Sequence, residues 1–174
     1  MTAAAGNSAR TRFPAGEDAI GTPPASPTLV PAERYYSPAF AKLETERMWP
    51  KVWQLACMVD HVAKPGDYFE YRCGPYAVLI VCDPEAPGAG LRAFQNVCRH
   101  RGNSLWVGSG SGLREIKCGY HGWTWDLGGT LKRVPNRKGF GALRLSDFPL
   151  VPVRVEAWAG PGLRQPRCRR DAVA

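Results

Sequence analysis

Residues 98–100 read Cys-Arg-His and residues 118–121 read Cys-Gly-Tyr-His, and these two short motifs constrain the fold more than anything else in the chain. Each pairs a thiol with an imidazole, two side chains that share soft-metal chemistry. A Cys₂His₂ set also suits tetrahedral zinc, but zinc fingers usually present a cysteine pair first and then a histidine pair carried on a helix. Here the order is Cys, His, Cys, His. That order lets each motif give one sulfur to one iron and one nitrogen to the other iron of a [2Fe–2S] cluster in which two imidazoles replace two of the cysteines. The chain has 3 histidines, and the motifs use His100 and His121. The rival reading is a zinc-bound or metal-free remnant with no redox role, which visible absorption and EPR separate from the cluster.

At 174 residues the chain is long enough for one ordinary domain with its own core. Its formal charge of +8 owes much to Arg164, Arg167, Arg169 and Arg170 near the end, so the folded part is only mildly basic. No aromatic and basic residues interleave as on a nucleic-acid surface, and no nucleic-acid partner is expected. Cys98 and Cys118 belong to the motifs, and Cys168 lies in the tail. Cys57, Cys73 and Cys82 fall in apolar, strand-like surroundings and read as small buried side chains. A reducing cytoplasm fits this usage. Residues 1–27 lack a signal-peptide apolar run, and no stretch is long and apolar enough to span a membrane, so the expected location is cytoplasmic with no membrane partner.

Four segments are expected. Residues 1–33, rich in Ala, Gly, Ser, Thr and Pro, read as a disordered tail. Residues 34–51 read as a helical arm lying against the domain, opened by Ser37 as N-cap with Pro38 behind it and closed by Pro50. Within it Phe40, Leu43 and Met48 roughly share a face. Residues 52–160 read as an antiparallel all-β domain. Its expected strands are 52–57, 68–73, 76–82, 91–97, 113–117, 123–126 and 151–158, with tight turns at Gly74-Pro75 and Gly128-Gly129. Both Cys-His pairs then follow strands, on loops that can meet at one end of the sheets. Residues 161–174 read as an aberrant, unstructured basic tail.

The run Cys98-Arg99-His100-Arg101-Gly102 and the run Cys118-Gly119-Tyr120-His121-Gly122-Trp123 resemble the two cluster loops of the Rieske non-heme iron oxygenases, the aromatic-ring-hydroxylating family. The likeness extends through Trp49 and Trp53, Pro65-Gly66-Asp67-Tyr68, Asn96, Gly128-Gly129 and Val134-Pro135, covering roughly residues 35–160. Gly119 departs from the proline usual in the family. The resemblance implies a Rieske [2Fe–2S] cluster whose inner iron is held by Cys98 and Cys118. Its outer iron, which takes the electron, is held by His100 and His121. Gly102 and Gly122 would allow close backbone approach, and Trp106, Trp123 and Trp125 either shield the cluster or fill the core. Arg99 and Arg101 either guide an acidic partner or are simply solvated, the second reading slightly favoured, and His61 reads as an exposed loop residue. Respiratory-type relatives brace the cluster with a disulfide from an extra cysteine in each loop. Tyr120 stands at that position in the second loop, and the first has no counterpart, so the oxygenase type is favoured. Fewer hydrogen bonds to the sulfurs then imply a potential near the low end of the range, roughly −150 mV.

In the resembled family a larger α+β catalytic domain follows, with a mononuclear Fe(II) on two histidines and a carboxylate. Outside the motifs only His61 remains, so this site and its domain are expected to be absent, leaving an electron relay unable to hydroxylate alone. After Gly160 the sequence leaves the family pattern, which points to a truncated or frameshifted α subunit. The implied electron donor is a ferredoxin or a flavin reductase, and the implied assembly is with other oxygenase subunits, often as a trimer. The alternative is a free-standing Rieske ferredoxin, against which the arm bearing Trp49 and Trp53 argues.

Overall fold

A computed structural model describes residues 30–160 and 163–169. The chain divides into two compact units, Met1–Glu44 and Thr45–Ala174. Of the tail expected to be disordered over residues 1–33, residues 1–29 lie outside the described residues, as do residues 161–162 and 170–174 of the expected unstructured tail, while Glu33 already belongs to a helix. In the first unit, helix α1 spans Glu33–Tyr36 and helix α2 spans Pro38–Leu43. Ser37 caps α2 as its sequence position suggests, the hydroxyl oxygen accepting the Phe40 N–H at 3.3 Å.

A π turn over Glu44–Met48 and a 3-10 turn over Trp49–Lys51 follow, so the spacing that aligned Phe40 and Leu43 does not carry through to Met48. The arm expected at 34–51 is therefore divided. Its second half is tied to the β domain by hydrogen bonds from Tyr76 Oη to the Thr45 carbonyl (3.1 Å) and from Gln54 Nε2 to the Trp49 carbonyl (2.6 Å).

The second unit begins with β1 (Gln54–Leu55), β2 (Tyr68–Cys73), β3 (Tyr76–Cys82), β4 (Leu91–Gln95) and β5 (Ser109–Gly110). It continues with β6 (Ile116–Lys117), β7 (Thr124–Trp125), β8 (Leu131–Arg133), β9 (Pro152–Gly160) and β10 (Leu163–Arg169). A seven-stranded sheet runs β1-β10-β9-β4-β3-β2-β5, and a three-stranded sheet runs β6-β7-β8. Every pairing is antiparallel. All seven expected strands are present, several of them shorter. Gly74-Pro75 makes the two-residue hairpin between paired Cys73 and Tyr76. Strands β5 and β8 were not expected. Nor was β10, which corrects the reading of residues 161–174 as unstructured: Leu163–Arg169 pairs along β9 from Gly160 to Arg154. Ladder hydrogen bonds use the backbone alone, so a segment with no side-chain alternation can still extend an open edge.

Strand β3 is buried on both faces. Leu79 and Val81 face a core shared with Phe94, Ile116, Trp123, Trp125 and Leu150, into which Cys98 and Cys118 also pack. Val78, Ile80 and Cys82 face a second core with Cys57, Val62, Ala93 and Val153. The period-2 alternation of a strand thus divides one apolar run between two layers.

Gly66 ties the end of β3 to the approach to β6. Its N–H donates to the Cys82 carbonyl and its carbonyl accepts from Leu113, both at 2.9 Å. Its φ is +82°, and a Cβ there would run into the Leu113 backbone. Gly66→Ala is expected to lower stability by more than about 1 kcal/mol, read as a fall in the denaturation midpoint. A midpoint equal to the parent's would show that the turn relaxes freely.

Candidate metal centre

Two loops carry the motif residues: residues 96–108 between β4 and β5, and residues 118–123 between β6 and β7. They close in the same way. The Gly102 N–H donates to the Cys98 carbonyl and the Gly122 N–H to the Cys118 carbonyl, each at 3.0 Å. The Cys98 N–H reaches the Asn103 carbonyl at 2.8 Å, and the Cys118 N–H the Trp123 carbonyl at 2.9 Å. Gly102 and Gly122 both sit at positive φ, +76° and +68°. A Cβ at Gly102 would meet no protein atom, so glycine serves there for its conformational range.

The folded loops bring Cys98, His100, Cys118 and His121 together as two pairs. The sulfurs lie inside, with Cys98 4% and Cys118 1% exposed. Burial raises both thiol pKa values, and the outcome differs between them. At Cys118 the backbone N–H groups of Tyr120 and His121, the Cys98 thiol and the Asn103 amide outweigh burial and lower it. At Cys98 burial and the neighbouring Cys118 prevail over the N–H groups of His100 and Arg101 and raise it. A metal takes thiolates, and these N–H groups are already aimed at the charge a thiolate would carry.

The imidazoles lie outside the sulfurs, with ring centroids 4.7 Å apart. His100 stacks on Trp123 at 5.0 Å with 3° between planes, and Phe140 meets it edge-on at 5.5 Å. Burial, His121 and Arg101 together lower the His100 pKa, favouring the neutral ring that a metal needs. His100 Nδ1 is buried without a hydrogen-bond partner. A buried ring nitrogen is rarely left unpaired, and one that ligates a metal makes no hydrogen bond to the protein. His121 packs against Tyr120 at 3.8 Å, and Tyr120 is 63% exposed. The donor set therefore fits an iron–sulfur cluster of mixed ligation. Among the described residues no three His, Cys, Asp or Glu converge on one point where a single metal ion could sit.

A polar brace not expected from the sequence fixes the first loop. Asn96, 1% exposed, accepts the N–H groups of Leu105 and Trp106 on Oδ1, each at 3.1 Å. Its Nδ2 donates to the Trp106 carbonyl at 2.6 Å, to Ser104 Oγ at 3.2 Å and to Glu70 Oε1 at 2.9 Å. Glu70, on β2, also accepts the Gly108 N–H at 3.1 Å and pairs with Arg72 at 2.6 Å. Burial alone would raise the Glu70 pKa. The bonds from Arg72, Gly108 and Asn96, with the Arg72 charge, overcome it and hold the carboxyl below its ordinary range. Asn96 was singled out only by resemblance. Glu70 carried no local signal, since the contact spans 26 residues of sequence.

The remaining candidates divide by position. Trp123 covers His100, while Trp125 is core, its Nε1 donating to the Phe148 carbonyl at 2.8 Å. Trp106 packs on Tyr68 at 5.0 Å. Arg99 and Arg101 are exposed, and His61 is exposed in a 3-10 turn over Val59–Val62. Nothing in the fold requires glycine at 119: it is exposed and a Cβ there would meet no atom. Cys57 and Cys82 are buried as read, and burial pushes the Cys57 thiol up to about 11; Cys73 is only half-buried.

Comparison with known proteins agrees with this geometry. Residues 52–152 match the model of the Rieske [2Fe-2S] domain. The chain is 35% identical over 139 residues to choline monooxygenase of Spinacia oleracea, covering 80% of this chain and 30% of that protein. It is 33% identical over 120 residues to the benzene 1,2-dioxygenase α subunit of Pseudomonas putida, covering 68% and 26%. The crystal structure of a quaternary ammonium Rieske monooxygenase with L-carnitine superposes with a TM-score of 0.71 at 30% identity, over 82% of this chain and 38% of that one. The chain thus spans about a third of the length of the relatives it matches.

The lowered Glu70 pKa has a signed consequence. A carboxylate whose folded pKa lies below its unfolded value, about 4.3, contributes stability in full above that value. The contribution is lost as pH falls through the folded one. Glu70→Gln is expected to cost about 1.5–3 kcal/mol near neutrality, and the gap from the parent should shrink on acidification below pH ~4. Denaturant midpoints against pH test this, and a gap independent of pH would contradict it.

Proposed function

We propose that this chain, which belongs to the Rieske [2Fe–2S] domain family, relays single electrons as the N-terminal part of a ring-hydroxylating oxygenase α subunit. We assign the cluster domain to residues 52–160. Cys98 and Cys118 would hold one iron and His100 and His121 the other. The observation that carries the reading is the pairing of two buried sulfurs beneath two imidazoles, one of which buries an unpartnered Nδ1. When bound, a cluster of this ligation supplies one-electron transfer. The protein's part is to keep the sulfurs dry, to aim backbone N–H groups at them, and to cover His100 with Trp123 and Phe140 while His121 stays near the surface.

Hydroxylation belongs to a mononuclear iron of the oxygenase's catalytic part, to which the relay would deliver. The electron donor would be a ferredoxin or a flavin reductase in the cytoplasm, with further oxygenase subunits as partners. Charge around the site supports an acidic donor. Arg99, Arg101, Lys117, Arg137 and Lys138 are exposed and make no ion pair among the described residues. The nearby acids Glu115 and Asp126 are already paired with Arg133 and Lys132. Such a face steers an acidic partner toward the histidine end.

Two measurements test the reading. Purified protein should hold two irons and two acid-labile sulfides per chain and show visible charge-transfer bands, while Cys98→Ser and Cys118→Ser should lose nearly all bound iron. Stoichiometric zinc in a colourless protein, or full iron retention by both variants, would overturn the assignment. The double variant R99E/R101E should slow electron uptake from a reduced acidic ferredoxin about tenfold at low ionic strength and converge with the parent at high salt. Equal rates at low salt would place the donor on another face.

A further inference from the structure

The backbone N–H groups that reach the two sulfurs are set by loop conformation, and one further donor is set by side-chain identity. Asn103 follows Gly102 at the end of the first loop. Its carbonyl accepts the Cys98 N–H at 2.8 Å. Its side-chain Nδ2 donates to the Ser104 carbonyl at 2.7 Å and, across to the other loop, to Cys118 Sγ at 3.9 Å. A single residue thus holds the backbone of one motif cysteine and the sulfur of the other. The first of these contacts survives any substitution that keeps the backbone path. The second exists only for a side chain with an N–H at this reach.

We propose that Asn103 is a positioning residue that tunes the cluster's reduction potential through the Cys118 sulfur. The inference rests on the assignment of Cys118 as an iron ligand. Reduction adds one negative charge to the cluster, part of which resides on the ligand sulfurs. A donor N–H stabilises the more negative state more than the oxidised one and so raises the potential. Asn103 is exposed, and its contact with Sγ is long, so the effect is a modest adjustment on top of the backbone contribution.

The test is spectroelectrochemical titration of the loaded protein, its N103A variant and its N103D variant, with EPR of each reduced form. N103A should reduce less readily, with an equilibrium constant lower by about two- to tenfold, where tenfold is 59 mV for one electron. N103D should fall further, because its carboxylate has the same shape, lacks the donor and adds charge. The nitrogen couplings from the two imidazoles should stay unchanged in both variants, which loss of loop structure would not allow. Variant potentials equal to the parent's, or higher, with the cluster signal intact would overturn the inference and leave the relay reading standing. A parent without a nitrogen-ligated cluster signal would overturn the relay reading itself.

Should neither variant hold a cluster, the unmodified protein labelled with ¹⁵N-asparagine decides. Pulsed EPR of its reduced cluster should show an asparagine nitrogen coupled through the N–H···S contact, and the absence of that coupling would overturn the proposal.

Discussion

Two cysteine sulfurs lie side by side at the base of the site, almost wholly removed from water, and the rest of the arrangement follows from that juxtaposition. Burying a pair of ionisable thiols is costly unless hydrogen bonds and a metal compensate. The loops answer the first need by closing each Cys-to-Gly turn so that two N–H groups reach each sulfur. The strands supply the register. Loop 96–108 leaves the large sheet at β4 and loop 118–123 joins β6 to β7 in the small one, so the sulfurs meet only because both sheets pack on one core. Metal affinity in such a site is coupled to the stability of the two sheets that frame it.

The imidazole end is asymmetric in a way that suits a relay. His100 is walled by Trp123 and by Phe140, whereas His121 lies beside the exposed Tyr120. Aromatic side chains thus wall one imidazole, while the other lies beside an exposed ring. The exposed cations Arg99 and Arg101 lie on the first of the two loops. The first loop is held in place by Asn96 and Glu70, which satisfy the loop's backbone from β2 and from the end of β4. A buried polar network that is fully paired can fix a loop as a crosslink does, and this one ties the first loop to β2.

Much of this was legible in the sequence because the signals are local. Strands β2 and β3 are continuous β-rich runs with a Gly-Pro turn between them, and the Cys-His spacing identifies its own loops. What was not legible depends on distant partners. Strands β5 and β8 are two and three residues long, without a pattern of their own, and exist because β2 and β7 offer them an edge. The Glu70 brace joins residues far apart in sequence. Trp123 and Trp125 are two residues apart and alike in composition, yet only the first stacks on His100. The tail after Gly160 lacks alternation, and its pairing with β9 follows from an open backbone edge. Nothing local marks Asn103, because its contact with Cys118 exists only when the second loop lies beside it.

The central claim is that two nitrogens and two sulfurs of this chain share one cluster. Pulsed EPR of the chemically reduced protein, uniformly labelled with ¹⁵N, measures this directly. The account predicts strong couplings from two imidazole nitrogens, with one lost in His100→Cys and the other in His121→Cys. A cluster signal without imidazole nitrogen coupling, or couplings unaffected by either substitution, would contradict it.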